Sequence, residues 1–274
     1  MTSLLRPLIS KIEVERKFIP TRLLLQALKD PRPKNPPPPS ISRIRPAGVQ
    51  FIRDVYYDRH DRLSEKGLWV RERSVVGSSS SSAAVKSSWE AKARVGGDYV
   101  ASQFVEVEGV EGVERELQRV LSATERTVKV HRIHEHLDVL CDLTTRRMSG
   151  ELEMEWGGGI VGRNGLKILN VAIDQVVETT SGDFAAARAA LESRGTLPDD
   201  AFFHEIGELE VMTEVHTEGS EQEHVHETRR KEVASTLAEQ LDEFMRAHPT
   251  LFPMTPRPRG KLVAYFAWRE GQRR

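Results

Sequence analysis

The chain has 274 residues, with 40 Lys+Arg against 41 Asp+Glu and a formal net charge of −1. That balance argues against a protein whose main task is to coat nucleic acid or an acidic membrane. An apolar fraction of 38% with 19 glycines is ordinary for a globular protein and supplies material for a sizeable core. Cys141 is the one cysteine, so an internal disulfide is excluded and a zinc site would need His and carboxylate ligands. The opening MTSLLRPLISK is too short in apolar residues for a secretory signal, and no run approaches a membrane span. A monomeric, cytoplasmic protein is the expectation.

Residues 11–18, KIEVERKF, alternate: Ile12, Val14, Arg16 and Phe18 fall on one strand face, and Glu13, Glu15 and Lys17 on the other. Residues 21–29, TRLLLQALK, read as a short helix with Thr21 as its N-cap. PRPKNPPPPS, 31–40, lacks amide donors at its prolines and reads as an exposed loop. Strands are expected at 49–58 (VQFIRDVYYD), 67–75 (GLWVRERSV) and 88–95 (SWEAKARV), with serine-rich 77–88 as a flexible tip. VERELQRVLSA and FAAARAALESRG have helical patterns. LDVLCDLTTRRMSGELEMEW, LKILNVAIDQV and HEIGELEVMTEV read as strands.

GGGIVGRNG, 157–165, lacks a GK[ST] ending and reads as a hairpin loop rather than a phosphate loop. Residues 216–228 are polar and expected to be exposed. Val233, Leu237, Leu241 and Phe244 then place a helix on a 3.6-residue stripe, and Lys261 stands beside the apolar segment of the tail. The pattern is α+β built on an antiparallel sheet, of which a closed barrel is one arrangement.

Charge on the strand faces is the informative feature. Trp69, Arg71 and Arg73 share a face, as do Glu90, Lys92 and Arg94, and Glu208 and Glu210. Same-face neighbours lie about 6.5–7 Å apart, where like charges repel by roughly 2–3 kcal/mol at an effective dielectric near 20, before screening. Each piece alone reads as a solvated face or an edge that discourages aggregation. Pointed together into a barrel, they would form acidic and basic clusters. Carboxylates suit a hard cation such as Mg²⁺, and guanidinium and ammonium groups suit phosphate oxygens.

His131, His134 and His136, and likewise His216, His224 and His226, are metal-ligand types but are expected to be solvated. Cys141 is expected to be a buried strand residue without a neighbouring base.

IEVERKF at 12–18 resembles the N-terminal E-x-E-x-K signature of the CYTH superfamily, the triphosphate tunnel metalloenzymes. RDVYYD, GLWVRER, WEAK, GELEV and GKLVAYF follow in that family's order, and the series is most similar to its thiamine-triphosphatase branch. The resemblance touches segments from about residue 10 to 268 and is weak over roughly 111–200. It implies one domain over 8–270, with exposed loops near 31–47, 76–87 and 216–228. The implied fold is an eight-stranded antiparallel closed barrel, a tunnel with helices packed outside, that binds a triphosphate with Mg²⁺ or Mn²⁺.

The resemblance also implies roles by position. Glu13, Glu15, Glu208, Glu210 and Asp174 would be metal-side carboxylates. Lys17, Arg71, Arg73, Lys92, Arg147 and Lys261 would grip phosphates, with Glu13, Glu15 and Lys17 central to catalysis. Arg146 is the rival of Arg147, because a one-residue slip on a strand flips the face. Trp69 could stack on a cationic thiazolium ring, or be an ordinary half-buried sheet tryptophan. Where the family often has a second acidic residue two positions before the one matching Asp174, this chain has Ala172. The implied reaction is hydrolysis of thiamine triphosphate to the diphosphate and phosphate. Inorganic tripolyphosphatase, adenylate cyclase and non-catalytic polyphosphate binding are the alternatives.

Overall fold

A computed structural model describes residues 8–30, 41–77, 85–98, 100–121, 128–155, 166–193, 197–198, 200–217 and 223–272. The strands are β1 (Leu8–Phe18), β2 (Ile41–Asp58), β3 (Leu68–Gly77), β4 (Lys86–Gly97), β5 (Ala101–Glu108), β6 (Asp138–Glu155), β7 (Leu166–Glu178) and β8 (Phe203–Thr217). They form a closed barrel in the order β1-β5-β4-β3-β2-β6-β7-β8, and every pair is antiparallel. Closure removes the sheet edges that would otherwise template aggregation. Among the described residues five α-helices accompany it: α1 (Arg22–Lys29), α2 (Val110–Leu121), α3 (Phe184–Ser193), α4 (Glu223–Ala247) and α5 (Lys261–Gln272).

The hydrophobic core lies outside the barrel, between sheet and helices. Ile12, Val14 and Phe18 of β1 are fully buried in one cluster with Leu24 of α1 and Leu237 and Leu241 of α4. Leu68 and Val70 of β3 cluster with Val113, Leu117 and Leu121 of α2. Because side chains alternate along a strand, committing these residues outward sends their neighbours into the lumen. Arg16 shares the apolar face of β1 and is almost fully buried there. Its guanidinium donates to Asp242 of α4 at 2.6 and 2.9 Å, a bidentate pair that ties helix to barrel. Thr21 caps α1 by accepting from the Leu24 amide at 3.2 Å.

The three expected loops are shorter than the sequence suggested. β2 begins at Ile41 rather than near 49. Register shifts between Ile41 and Arg43 and between Pro46 and Gly48 absorb the proline, with Gly48 at φ +105°, so Ile41 and Ile44 both reach the core. At 216–228, β8 runs to Thr217 and α4 starts at Glu223, and His226 is buried. The buried stripe of α4 passes through His226, Ala234, Leu237, Leu241 and Met245, so a polar-looking segment is the helix's first turns. The expected tip at 76–87 is trimmed, because β3 extends through Gly77 and β4 starts at Lys86. The readings for 31–40, 78–84 and 157–165 lie outside the described residues.

His131 and His134 are exposed on a 3₁₀ segment, Val130–Glu135. Among the described residues, no helix is long and apolar enough to cross a membrane.

Gly207 of β8 lies opposite Phe18 in the β1 ladder, and a Cβ there would collide with the Phe18 ring. That ring is fully buried and packed edge-on against Phe252 at 5.1 Å, so it has no room to yield. Gly207→Ala is therefore expected to destabilise the protein by about 1–3 kcal/mol through overpacking. Urea unfolding checks this, and an unchanged midpoint would show that the Phe18 pocket is slack.

Candidate functional site

The barrel encloses a cavity of about 560 Å³ lined by alternate residues of several strands. β1 contributes Glu13, Glu15 and Lys17, β3 contributes Trp69, Arg71 and Arg73, and β4 contributes Lys92 and Arg94. Arg147 of β6, Glu208 and Glu210 of β8 and Lys261 of α5 add to the charged lining. Arg147 is the lumen residue of its pair. Arg146 is on the other face, donating to Gln175 Oε1 at 2.9 Å.

The acidic side converges on three residues. Glu13, Glu15 and Glu210 offer one carboxylate oxygen each, all within 4.8 Å of one another, because Glu15 faces Glu210 across the β1–β8 ladder. Burial, together with repulsion from Glu13, pushes the Glu210 carboxyl up to about 8. Burial likewise raises Glu13 despite its contact with Lys92.

The other two expected carboxylates stand apart from this trio. Asp174 is fully buried behind the lining and accepts both arms of Arg147, each at 2.7 Å. Glu208 accepts from the same guanidinium at 2.8 Å. Register explains the difference, since Asp174 lies beside Arg147 on the β6–β7 ladder and opposite Ile206 on β8. Ala172 is the β7 residue opposite Glu208, so no carboxylate from that position reaches the lumen.

The basic side rests on a residue that the sequence reading passed over. Asp54 of β2 is fully buried and accepts from Arg73 at 2.7 and 2.9 Å and from Lys261 at 3.2 Å, with Arg71 at 3.7 Å. Burial opposes its ionisation, but Arg73, Arg71 and Lys261 outweigh that and hold the carboxyl well below the usual range. Arg71 also donates to Glu90 at 2.7 and 3.0 Å and to the Tyr56 hydroxyl at 3.2 Å. The signal was present in RDVYYD, where Asp54 and Tyr56 alternate onto one face. Glu106 is a second omission of this kind, two residues after Phe104, and both line the cavity.

Lys17 contacts Glu15, and Lys92 donates to Glu13 at 2.5 Å. Burial would strip the Lys92 proton, but Glu13, Glu15 and Glu106 outweigh it and keep the amine charged.

α5 crosses one mouth of the barrel. Tyr265 anchors it, fully buried in a cluster with Tyr56, Cys141, Leu143, Val176 and Phe202, and its hydroxyl donates to Glu178 at 2.5 Å. Cys141 is thus a packing residue, and burial pushes its thiol above the ordinary range. With Tyr265 fixed, Lys261 and Phe266 are placed in the cavity lining. Trp69 is half-buried at this mouth, shared between the tunnel and a neighbouring recess of about 520 Å³ that Phe266 also lines.

The fold and lumen define a closed-barrel tunnel protein with a charge-divided interior. No protein-family profile matches the chain, and no curated protein matches it. Among solved structures it is similar to a Hippeastrum protein described as a candidate adenylyl cyclase with a dominant triphosphatase activity. That likeness covers 95% of this chain and 96% of the other, at 14% identity and a TM-score of 0.38. A protein of Pyrococcus horikoshii OT3 is similar over 86% of this chain and 89% of that one, at 11% identity and a TM-score of 0.40. At those values neither likeness bears on chemistry, which rests on the residues of the lumen.

Asp54→Asn leaves three mutually repelling cations, and the expected loss is about 3–5 kcal/mol at neutral pH. The folded-state carboxyl is depressed, so its contribution is fully present above the unfolded value near 4. It is lost as pH falls through the lower folded value. Urea titrations of both proteins should show the gap largest at pH 6–7 and shrinking below about pH 4. A gap independent of pH would mean that the charge of Asp54 is not what the cations require.

Proposed function

We propose that the chain is a metal-dependent hydrolase of organic triphosphates, cleaving thiamine triphosphate to the diphosphate and phosphate. The observation that carries this is the division of one lumen into a carboxylate trio and a bank of buried and half-buried cations. Glu13, Glu15 and Glu210 form an all-oxygen donor set that fits a hard divalent ion, Mg²⁺ or Mn²⁺. A bound ion there supplies charge neutralisation at phosphate oxygens and a more acidic water. The ordered E-x-E-x-K, RDVYYD, GLWVRER and WEAK segments support the same reading, that of the CYTH superfamily and its thiamine-triphosphatase branch.

The protein's own side chains then do the following. Arg71, Arg73, Arg147, Lys92 and Lys261 bind the phosphates, the guanidinium groups as bidentate forks. Asp54 and Asp174 hold those forks in place before substrate arrives, so little reorganisation is needed as charge develops. Lys17, buried beside Glu15 and kept protonated, neutralises charge that builds on the leaving diphosphate. Trp69 and Phe266 offer aromatic surface at the mouth for the organic end, and Trp69 suits a cationic ring.

The deciding assay is phosphate release with Mg²⁺ from thiamine triphosphate, tripolyphosphate and ATP. Thiamine triphosphate is expected to lead in kcat/KM by about tenfold to a hundredfold, the range a desolvated cation–aromatic contact can supply. Faster cleavage of tripolyphosphate would remove the thiamine assignment, and a cyclic nucleotide formed from ATP would make the protein a lyase. Glu13→Gln and Glu15→Gln should each lower metal-dependent turnover by about a hundredfold or more. Arg71→Ala should raise KM about tenfold through loss of a charge-assisted contact, and unchanged kinetics would remove Arg71 from the site.

A further inference from the structure

Lys92 contacts more of the lumen's acidic side than Lys17 does. The Lys92 ammonium donates to Glu13 Oε2 at 2.5 Å and lies 3.4 Å from Glu106 and 3.9 Å from Glu15. Glu13 and Glu15 are two of the three carboxylates whose oxygens converge within 4.8 Å. A divalent ion held by that trio and the Lys92 ammonium therefore draw on two of the same carboxylates, those of Glu13 and Glu15. Two cations at such separations repel strongly behind low-dielectric walls.

Lys92 also has somewhere else to go. It faces Trp69 across the β3–β4 ladder, one strand from the guanidinium of Arg71, which lies on the same lumen face. Its flexible four-carbon stem passes the Phe104 ring, with the ammonium 5.5 Å from the ring centroid. Rotation of that stem can carry the charge from the carboxylates to an anion lying along β3. Lys17 contacts one member of the trio, Glu15, whereas Lys92 lies within 3.9 Å of two.

We propose that Lys92 is a tethered competitor of the metal ion, released only when a triphosphate takes over its ammonium. The inference rests on the metal–triphosphate reading above and adds that metal and substrate binding are mutually dependent. Linkage makes this reciprocal: whatever the triphosphate adds to metal affinity, the metal adds to triphosphate affinity. Metal alone then binds weakly, and the metal–triphosphate complex binds tightly.

The test is Mn²⁺ binding to the full chain without any phosphate compound, followed by the electron paramagnetic resonance of the ion and by calorimetry. Lys92→Gln removes the charge, Lys92→Met removes it while keeping apolar bulk over Phe104, and Lys92→Arg keeps it. The Gln and Met variants are expected to bind Mn²⁺ about tenfold tighter or more than the unaltered protein, with Arg within about threefold of it. Equal affinity in the Gln variant and the unaltered protein would overturn the proposal. So would equal tightening by Gln and Arg, since room rather than charge would then be the cause. Absence of Mn²⁺ binding in all four proteins would instead overturn the metal reading, taking this inference with it.

Discussion

Everything in this structure depends on one constraint: a closed barrel sends alternate residues of every strand into a single enclosed volume. An open sheet can leave charged side chains in water, where neighbours are screened. Inside this lumen Glu13, Glu15, Lys17, Arg71, Lys92, Arg147 and Glu210 share a space with low-dielectric walls. Their charges are tolerable only because carboxylates and cations from different strands neutralise one another. The outer apolar layer enforces this, since Ile12, Val14 and Phe18 cannot leave the α1–α4 interface without turning β1 inside out.

The neutralisation is uneven, and that unevenness gives the site its character. Arg147 is held by two carboxylates at 2.7–2.8 Å, and Arg73 by Asp54 at 2.7–2.9 Å, so these forks are fixed. The Glu13–Glu15–Glu210 trio instead brings three acids together, with Lys92 and Lys17 on flexible stems as its protein cations. Rigid guanidinium groups on one side and displaceable ammonium groups on the other are suited to a ligand that carries both negative phosphates and a positive ion.

The helices are more than a coat around the barrel. α5 inserts Lys261 into the network through Asp54, and one turn further on the same helix is pinned by the Tyr265 hydroxyl to Glu178. α4 is tied to β1 by the pair of buried Arg16 with half-buried Asp242, one residue along the strand from Glu15 and Lys17. The position of the acidic trio is thereby set from outside the lumen as well as within it, which is how a polar interior keeps one geometry.

Much of this was legible from the chain alone, because the period of two is a local property. KIEVERKF declares its two faces without reference to any other strand, as do GLWVRER and WEAKAR, and the apolar stripe of α4 is equally local. Local patterning could not choose among partners. Whether Asp174 joins Glu13 or Arg147 depends on the β6–β7 and β7–β8 registers, which are set by contacts between residues far apart in sequence. Asp54 became the hub of the cations only when β2, β3 and α5 came together. The polar segment at 223–228 proved to be the start of α4, with His226 buried. The sequence by itself determined how the charged strands divide into two faces; closure of the barrel and the docking of α5 decided which face is the lumen and which residues meet there, because both are long-range events that no window of the chain contains.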